Sequence, residues 1–242
     1  MMVSKGIEDI DVGVPRDAYD IGKDTPTFNA YLTVVVRDSE GRVVKVHRQR
    51  SHSPTANFIG LLLPLQYFLN CGCSYTVKNT GGSTYGYRPT IACNGLAISY
   101  PNSSSNYPSY LVMIQVGSGQ QSNPYSAYSL ASPIANGSGT GQLVYGQPSV
   151  SSNITVSGGE AYFTITQTFN NNSGATITIT EVGIITYVQA PAAFNSNCNA
   201  VTGYAMADTY GQLLVWYDVL SSSISVSNGE SITIYYTFAI NP

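Results

Sequence analysis

From Leu111 to the end of the chain, short β-forming segments recur about every ten residues, and turn residues separate them. Val, Ile, Thr, Tyr and Phe fill the segments, whereas Gly, Asn, Pro and Ser lie between them. This spacing is typical of an all-β antiparallel sandwich or a jelly-roll-like fold. The pattern predicts strands at residues 110–117, 143–150, 153–157, 161–169, 175–188, 203–208, 211–220 and 231–240.

For two of these strands, the sequence indicates which faces are buried. Residues 176–180 (TITIT) alternate between hydroxyl and aliphatic side chains, which indicates one buried face and one polar face. Residues 213–216 (LLVW) are continuously apolar, which indicates a strand that is buried on both faces.

A repeated phrase makes the strand pattern more specific. Its first copy is ITVSGGE at residues 154–160. A two-residue Gly-Gly turn would place Ile154 opposite Phe163 and Val156 opposite Ala161, which keeps apolar residues on one face. The first copy therefore predicts a β-hairpin.

The second copy, ISVSNGE at residues 224–230, does not allow the same pairing. A two-residue Asn-Gly turn would place Ile224 opposite Thr233 and Val226 opposite Ser231, which mixes the two faces. The second copy therefore predicts a bulge, a different loop length, or strands that belong to two different sheets.

The N-terminal third has a different organisation. Residues 1–27 show no sustained period and are expected to form an extended arm, which is either a disordered terminus or a segment that lies on a neighbouring subunit. Residues 28–242 are predicted to form a single β-sandwich domain, with a loop-rich insertion at about 70–109. One short helix is predicted at 55–69, capped by Ser53 or Thr55 and kinked or ended by Pro64.

A basic hairpin follows the arm. Residues 31–37 and 43–48 flank the turn-forming sequence DSEG, and Lys, Arg and His side chains cluster on the second strand. This strand could contact nucleic acid or an acidic neighbour. The alternative, which we favour, is a solvated edge strand that is protected by its charge.

Charge is sparse and unevenly placed. Charged residues form 10% of the chain, against about 25% in an ordinary soluble protein. All ten Lys and Arg residues lie at or before Arg88, so no nucleic-acid interface is expected in residues 89–242. Low charge also suits large subunit contacts, because charges are costly to desolvate.

Membrane and export signals are not evident. The longest apolar run, residues 58–69, contains Pro64 and is too short to span a bilayer. The opening MMVSKGIEDIDVG lacks the basic and apolar regions of a signal peptide. The low charge and abundant hydroxyl and amide side chains are common in proteins that function outside the cell. Without an export signal, such a protein would leave by another route, such as release of assembled virus particles by lysis, unless its signal has been removed.

The sequence offers two sets of candidate site residues. The first set is the four cysteines, Cys71, Cys73, Cys93 and Cys198. They could form two disulfides, as in a virion or a thermophile protein. Alternatively, they could be free buried thiols or bind zinc. Tyrosines in the loop-rich insertion give contact area at low entropic cost, so they form a candidate surface-recognition loop, or else belong to a plain surface insertion; they are Tyr85, Tyr87, Tyr100 and Tyr107.

No catalytic set is predicted. The two histidines, His47 and His52, lie in the basic hairpin and just after it, and no G-x-S-x-G motif occurs. Glu181 is a lone carboxylate among apolar residues, which we expect to bond backbone amides or face a subunit contact. No cofactor is expected.

Several stretches together resemble virion structural proteins of phages and archaeal viruses. They are VVVRDSEGRVVKVHRQRSHS, NFIGLLLPL, IQVGSGQQSNPYSAYSLASPI from Ile114, FTITQTFNNNSGATITITEVGIIT from Phe163, and the closing VSNGESITIYYTFAINP. The resemblance covers about two thirds of the chain. It implies a β-sandwich subunit of a capsid, tail or surface appendage, with no catalytic residues to carry over.

The expected function is therefore that of a non-enzymatic virion protein, whose partners are copies of itself or other coat proteins. One alternative is an extracellular filament subunit or adhesin at the cell surface, which donates its N-terminal arm to the next subunit. Another is a carbohydrate-binding β-sandwich, which would meet a host-surface glycan through exposed tyrosines and Trp216.

Overall fold

Strands dominate the computed structural model, which describes residues 27–51, 53–62, 75–87, 112–151, 153–189 and 209–241. The predicted fold class, an all-β antiparallel sandwich with one short helix, is confirmed. The elements are β1 (Thr27–Arg37), β2 (Val43–Ser51), α1 (Ala56–Leu62), β3 (Tyr75–Lys78), β4 (Thr84–Tyr87), β5 (Val112–Gly117), β6 (Val144–Tyr145), β7 (Ser149–Val150), β8 (Thr155–Ser157), β9 (Glu160–Asn170), β10 (Ile177–Gln189), β11 (Thr209–Val226) and β12 (Ser231–Asn241).

The chain forms two compact units. The first is drawn from Met1–His52, Asn136–Ile177 and Ser225–Pro242, and the second from Ser53–Ala135 and Thr178–Ile224. The expectation that residues 28–242 fold as a single domain stays a prediction. The expected arm at 1–27 lies outside the described residues, apart from Thr27 at the start of β1.

The first unit contains a seven-stranded sheet in the order β2-β1-β12-β9-β6, with β7 and β8 also paired to β9. All strand pairs of this sheet are antiparallel, and β12 lies at the centre of the order. One face of β12 is apolar, since Ile232, Ile234 and Tyr236 are fully buried. On the other face, the Thr233 hydroxyl lies 2.9 Å from the Thr168 hydroxyl of β9. The alternation of β12 thus produces one buried apolar face.

The predicted basic hairpin is confirmed as β1 and β2, with Val36 opposite Lys45. Its turn is stabilised by Asp38, whose carboxylate accepts hydrogen bonds from the backbone N–H groups of Glu40 and Arg42. The Arg42 side chain also donates to this carboxylate, at 2.7 Å, and lowers the pKa of Asp38.

The first copy of the repeated phrase forms the predicted hairpin. Val156 of β8 lies opposite Ala161 of β9, and the turn glycines Gly158 and Gly159 both have positive φ, which glycine adopts without a steric penalty. Ile154 precedes the first residue of β8, so its predicted pairing with Phe163 does not form.

The second copy joins two sheets. It connects β11, which pairs with β10, to β12, which pairs with β1 and β9, so the predicted split between sheets is confirmed. Asn171 lies beside this connection and is fully buried. Its side-chain amide donates to the carbonyl oxygens of Ala175 (2.8 Å) and Val226 (2.7 Å).

The second unit contains a three-stranded sheet, in the order β11-β10-β5, and the β3–β4 pair. Backbone hydrogen bonds join a further segment of chain to each end strand of the three-stranded sheet, β5 and β11. Ile134 donates to Val116 of β5, and Tyr217 of β11 donates to Ser53. As predicted, residues 213–216 of β11 are buried throughout, and residues 176–180 alternate in burial.

The predicted helix and the predicted loop-rich insertion are described only in part. The described part of the helix is Ala56–Leu62, and residues 63–69 lie outside the described residues. Thr55, a predicted cap, donates its hydroxyl to the carbonyl oxygen of Leu214. The insertion contains the β3–β4 hairpin, and its remaining residues lie outside the described part.

One predicted strand is interrupted. Residues 143–150 form two short strands, β6 and β7, instead of one. At Gly146 an added Cβ would lie 2.7 Å from the carbonyl oxygen of Thr168, and Pro148 has no N–H for a ladder bond. The strand therefore breaks between Tyr145 and Ser149. The predicted strand at 203–208 lies outside the described residues.

Candidate functional site

The Glu181 carboxylate is the centre of a buried polar cluster in the second unit. It lies on β10 and is fully buried. Its Oε1 accepts the N–H groups of Ser132 (2.8 Å) and Gly119 (3.2 Å), and its Oε2 accepts the N–H of Ala131 (3.0 Å). The Tyr217 hydroxyl donates a fourth bond, at 2.9 Å. Four donors compensate the carboxylate for lost hydration.

Tyr217 completes this cluster from β11. Burial raises the pKa of its hydroxyl, and the Glu181 carboxylate raises it further, so the hydroxyl stays protonated and acts as a donor. The same oxygen accepts the N–H of Gln121 at 2.7 Å. The sequence did not indicate Tyr217, because its partners are distant along the chain.

The cluster fixes the loop between Gly117 and Ile134. Thr180 donates its hydroxyl to the carbonyl oxygen of Gly119 at 2.8 Å, next to the Glu181 bonds. A Cβ on Gly117 would clash with the Glu181 carboxylate, so this position requires glycine. The expectation that Glu181 bonds backbone amides is confirmed. With four donors directed at it, the carboxylate positions a loop.

A different kind of site lies at one end of the seven-stranded sheet in the first unit, where the apolar face continues beyond its buried part. Strand register sets a row of apolar side chains across four strands; from β8 through β9 and β12 to β1, they are Val156, Ala161, Ile240 and Phe28. Directly opposite residues point to the same face of a sheet, so this row has a single orientation.

Exposure decreases from this end of the sheet inward. In the end row Val156 is 77% exposed, Ile240 53% and Phe28 52%. In the next row Phe238 is 6% exposed and stacks on both Phe28 and Phe163, with ring centroids 6.0 and 5.2 Å apart. The exposed row is thus continuous with the core of the sheet.

Two further side chains enlarge this surface. Val150 lies opposite Ile165, a buried residue of the apolar face, and is 50% exposed. Ile154 precedes Val156 by two residues, the spacing of side chains on one side of a strand, and is 67% exposed. We name these five residues the apolar patch: Phe28, Val150, Ile154, Val156 and Ile240.

The apolar patch is a cluster and not a scatter of single residues. In the described part of the chain nine large hydrophobic side chains are exposed, and five of them belong to the patch. The segments that carry it, residues 27–30, 149–165 and 236–241, contain one charged residue, Glu160, which is 5% exposed. Contiguous exposed apolar surface of this kind marks an interaction site.

The basic side chains of β2 belong to a different surface. Arg48 lies opposite Thr33 and Arg50 opposite Tyr31, so both point to the face of the sheet that does not carry the patch. Arg50 donates to the side-chain oxygen of Asn29 at 2.6 Å. These two arginines therefore lie on the opposite face from the patch, whereas Lys45, opposite Val36, lies on the patch face at the other end of the sheet.

Most sequence-predicted site residues are not placed by the structure. The residues outside the described part are Cys71, Cys73, Cys93, Cys198, Tyr100 and Tyr107. Tyr85 and Tyr87 lie on β4. The disulfides and the tyrosine recognition loop stay predictions.

The carbohydrate-binding alternative would use Trp216 as a surface ring, and the burial of Trp216 contradicts this role. It is 3% exposed and packs edge-on against Phe58, with ring centroids 5.2 Å apart. Its ring belongs to the apolar run at residues 213–216, which is buried on both faces. A buried ring cannot stack on a surface glycan.

The described residues contain no group of three or more His, Cys, Asp or Glu side chains placed to hold a metal ion. No helix in the described ranges combines the length and the apolar character needed to cross a membrane.

Comparisons of the chain with models of protein families, with curated proteins and with solved structures found no match. The resemblance to virion structural proteins therefore stays a prediction from its motifs.

Proposed function

We propose that this chain is a non-enzymatic structural protein of a virus particle, which self-assembles or decorates the particle through contacts between subunits. The observation that supports this most is the apolar patch, which leaves five aliphatic and aromatic side chains at least half exposed at one end of a sheet and along its adjoining edge. Such a surface is costly to leave in water and stabilises an assembly when a partner covers it.

The composition of the chain supports the same function. Residues 89–242 contain no Lys or Arg, and the charged side chains of the described residues lie largely on the β1–β2 hairpin. A weakly charged body can be packed against neighbours at low desolvation cost. The partners would be copies of this chain or other coat proteins, located in the virion.

Electron microscopy of the purified protein, combined with light scattering over a concentration series, tests the proposal. We expect particles or regular oligomers that grow with concentration. Open filaments would favour the alternative of an extracellular filament subunit. A chain that stays monomeric at high concentration, and that also fails to bind coat proteins encoded beside it, would contradict the proposal.

A further inference from the structure

We propose that the apolar patch is a two-fold contact, in which a second copy of this chain presents the same patch. This inference rests on the proposed self-assembly and names the surface and the symmetry through which it occurs. In a two-fold contact the same surface of each copy meets that surface of the other copy, so the surface has to be complementary to itself.

Charge is the first argument for a second copy. A two-fold axis brings like charges close to each other, so a charged surface repels its own copy. The segments that carry the patch have a single charged residue, Glu160, and it is 5% exposed. By contrast, β2 carries exposed Lys45, Arg48 and Arg50 and would repel itself. The patch is therefore a surface on which identical copies can meet without repulsion.

Area is the second argument. The five side chains, each exposed by half or more, present on the order of 500 Å² of apolar surface, near the top of the range for the largest patch on a monomer. Burial of this patch on both copies would remove about 1,000 Å² from water, the level that a specific interface has to exceed. The polar residues around the patch would bring the contact above it.

The chemistry of the patch disfavours other occupants. A charged peptide would need ionic partners, whereas the side chains of the patch are aliphatic and aromatic. Interfacial membrane binding combines apolar insertion with cations. Of the exposed cations of β2, Arg48 and Arg50 point to the opposite face of the sheet, and Lys45 lies opposite Val36, at the far end of β1 from Phe28.

Single substitutions to Asp in the patch, compared with matched substitutions on β2, test where the contact lies. Ile154→Asp and Val156→Asp would each introduce a charge twice into a two-fold contact, once from each copy. We expect each to raise the dimer dissociation constant by roughly 100-fold or more in sedimentation experiments. Val44→Asp and Val46→Asp are matched controls, because these valines are 52% and 41% exposed on β2. They are expected to leave the dissociation constant within about threefold of wild type.

Melting temperatures serve as the folding control. All four positions are exposed, so all four variants should melt close to wild type at concentrations well below the dimer dissociation constant, where association does not add to stability. A patch variant that dimerises as tightly as wild type would overturn the inference while leaving the proposed function intact. A wild-type chain that never associates would overturn both.

Photocross-linking tests the symmetry. The reactive benzoylphenylalanine is placed at position 156 in the full chain, and cross-linked peptides are identified by mass spectrometry. We expect a product of dimer mass that joins position 156 to residues 27–30, 149–165 or 236–241 of a second copy. Cross-links to residues 43–51 of a second copy would indicate a head-to-tail contact and overturn the two-fold contact. A product of monomer mass alone would show that the chain covers its own patch, and would overturn the inference too.

Discussion

Glu181 is a buried carboxylate whose two oxygens accept four hydrogen bonds. A buried carboxylate is tolerated because three backbone N–H groups and one hydroxyl are directed at it. This cluster explains why the loop after β5 has a defined path despite its many Gly and Ser residues.

Glu181→Gln tests this role. The amide would direct an NH₂ group at backbone donors and leave part of the cluster unsatisfied, so we expect a loss of about 2–4 kcal/mol in the free energy of unfolding. Urea denaturation monitored by circular dichroism measures it. Glu230→Gln is the control, because Glu230 also accepts a backbone N–H, from Ser227, but at an exposed turn. A loss at Glu181 no larger than at Glu230 would argue against the cluster.

Tyr217 gives a prediction for alkaline pH. Its pKa is raised in the folded chain, so above the ordinary tyrosine value of about 10 the unfolded chain ionises at this residue first. Folding stability should therefore decline as pH rises above about 10, and more steeply than in Tyr217→Phe. Unfolding free energies of both proteins between neutral and strongly alkaline pH measure the difference. Parallel pH profiles would contradict it.

Sequence reasoning identified Glu181 but could not place its partners. Gly119, Ala131 and Ser132 are 49 to 62 residues away and contribute backbone N–H groups, which any residue type except proline could supply. Residue identity carries no signal for such bonds. The burial of Trp216, by contrast, follows from the continuous apolar run at residues 213–216, and only the carbohydrate-binding alternative needed its ring at the surface.

At the scale of the elements, the connections between strands depend on buried amides. Asn171 bonds Ala175 within its own turn and Val226 at the end of β11, so one side chain links two turns. Its Oδ1 accepts the N–H of Ser173.

Asn171→Ala should therefore be costly. The substitution would remove the Asn171 donor from the buried carbonyl oxygen of Val226 and the bond to Ala175, and we expect a decrease of about 2–3 kcal/mol in unfolding free energy. Asn172→Ala is the matched control, because the neighbouring asparagine is exposed, and it should change stability by less than about 0.5 kcal/mol. Equal effects at the two positions would show that Asn171 does not link the turns.

The repeated phrase shows what strand patterning can and cannot predict. Register around the Gly-Gly turn followed from apolar alternation, and Val156 lies opposite Ala161 as expected. The faces mismatched at the Asn-Gly copy because its two strands belong to different sheets. Pattern thus identified the strands and the turns. The exposure of Ile154 and Val156 depends on where the apolar face of the sheet ceases to be covered, which local pattern does not contain.

At the scale of the whole molecule, charge and apolar exposure are placed on different surfaces. Arg48 and Arg50 of β2 are on one face of the seven-stranded sheet, and the apolar patch is on the other face, at the end of the sheet away from Lys45. Under the proposed function, this arrangement would provide a charged surface for solubility and an uncharged surface for contact.

Hydrogen–deuterium exchange at two protein concentrations tests the central claim, that the patch is the contact between copies. Residues 154–161, which include the β8–β9 turn, should exchange more slowly at the concentration at which the chain assembles, whereas residues 43–51 of β2 should be unchanged. Slower exchange at 43–51 with no change at 154–161 would contradict the account.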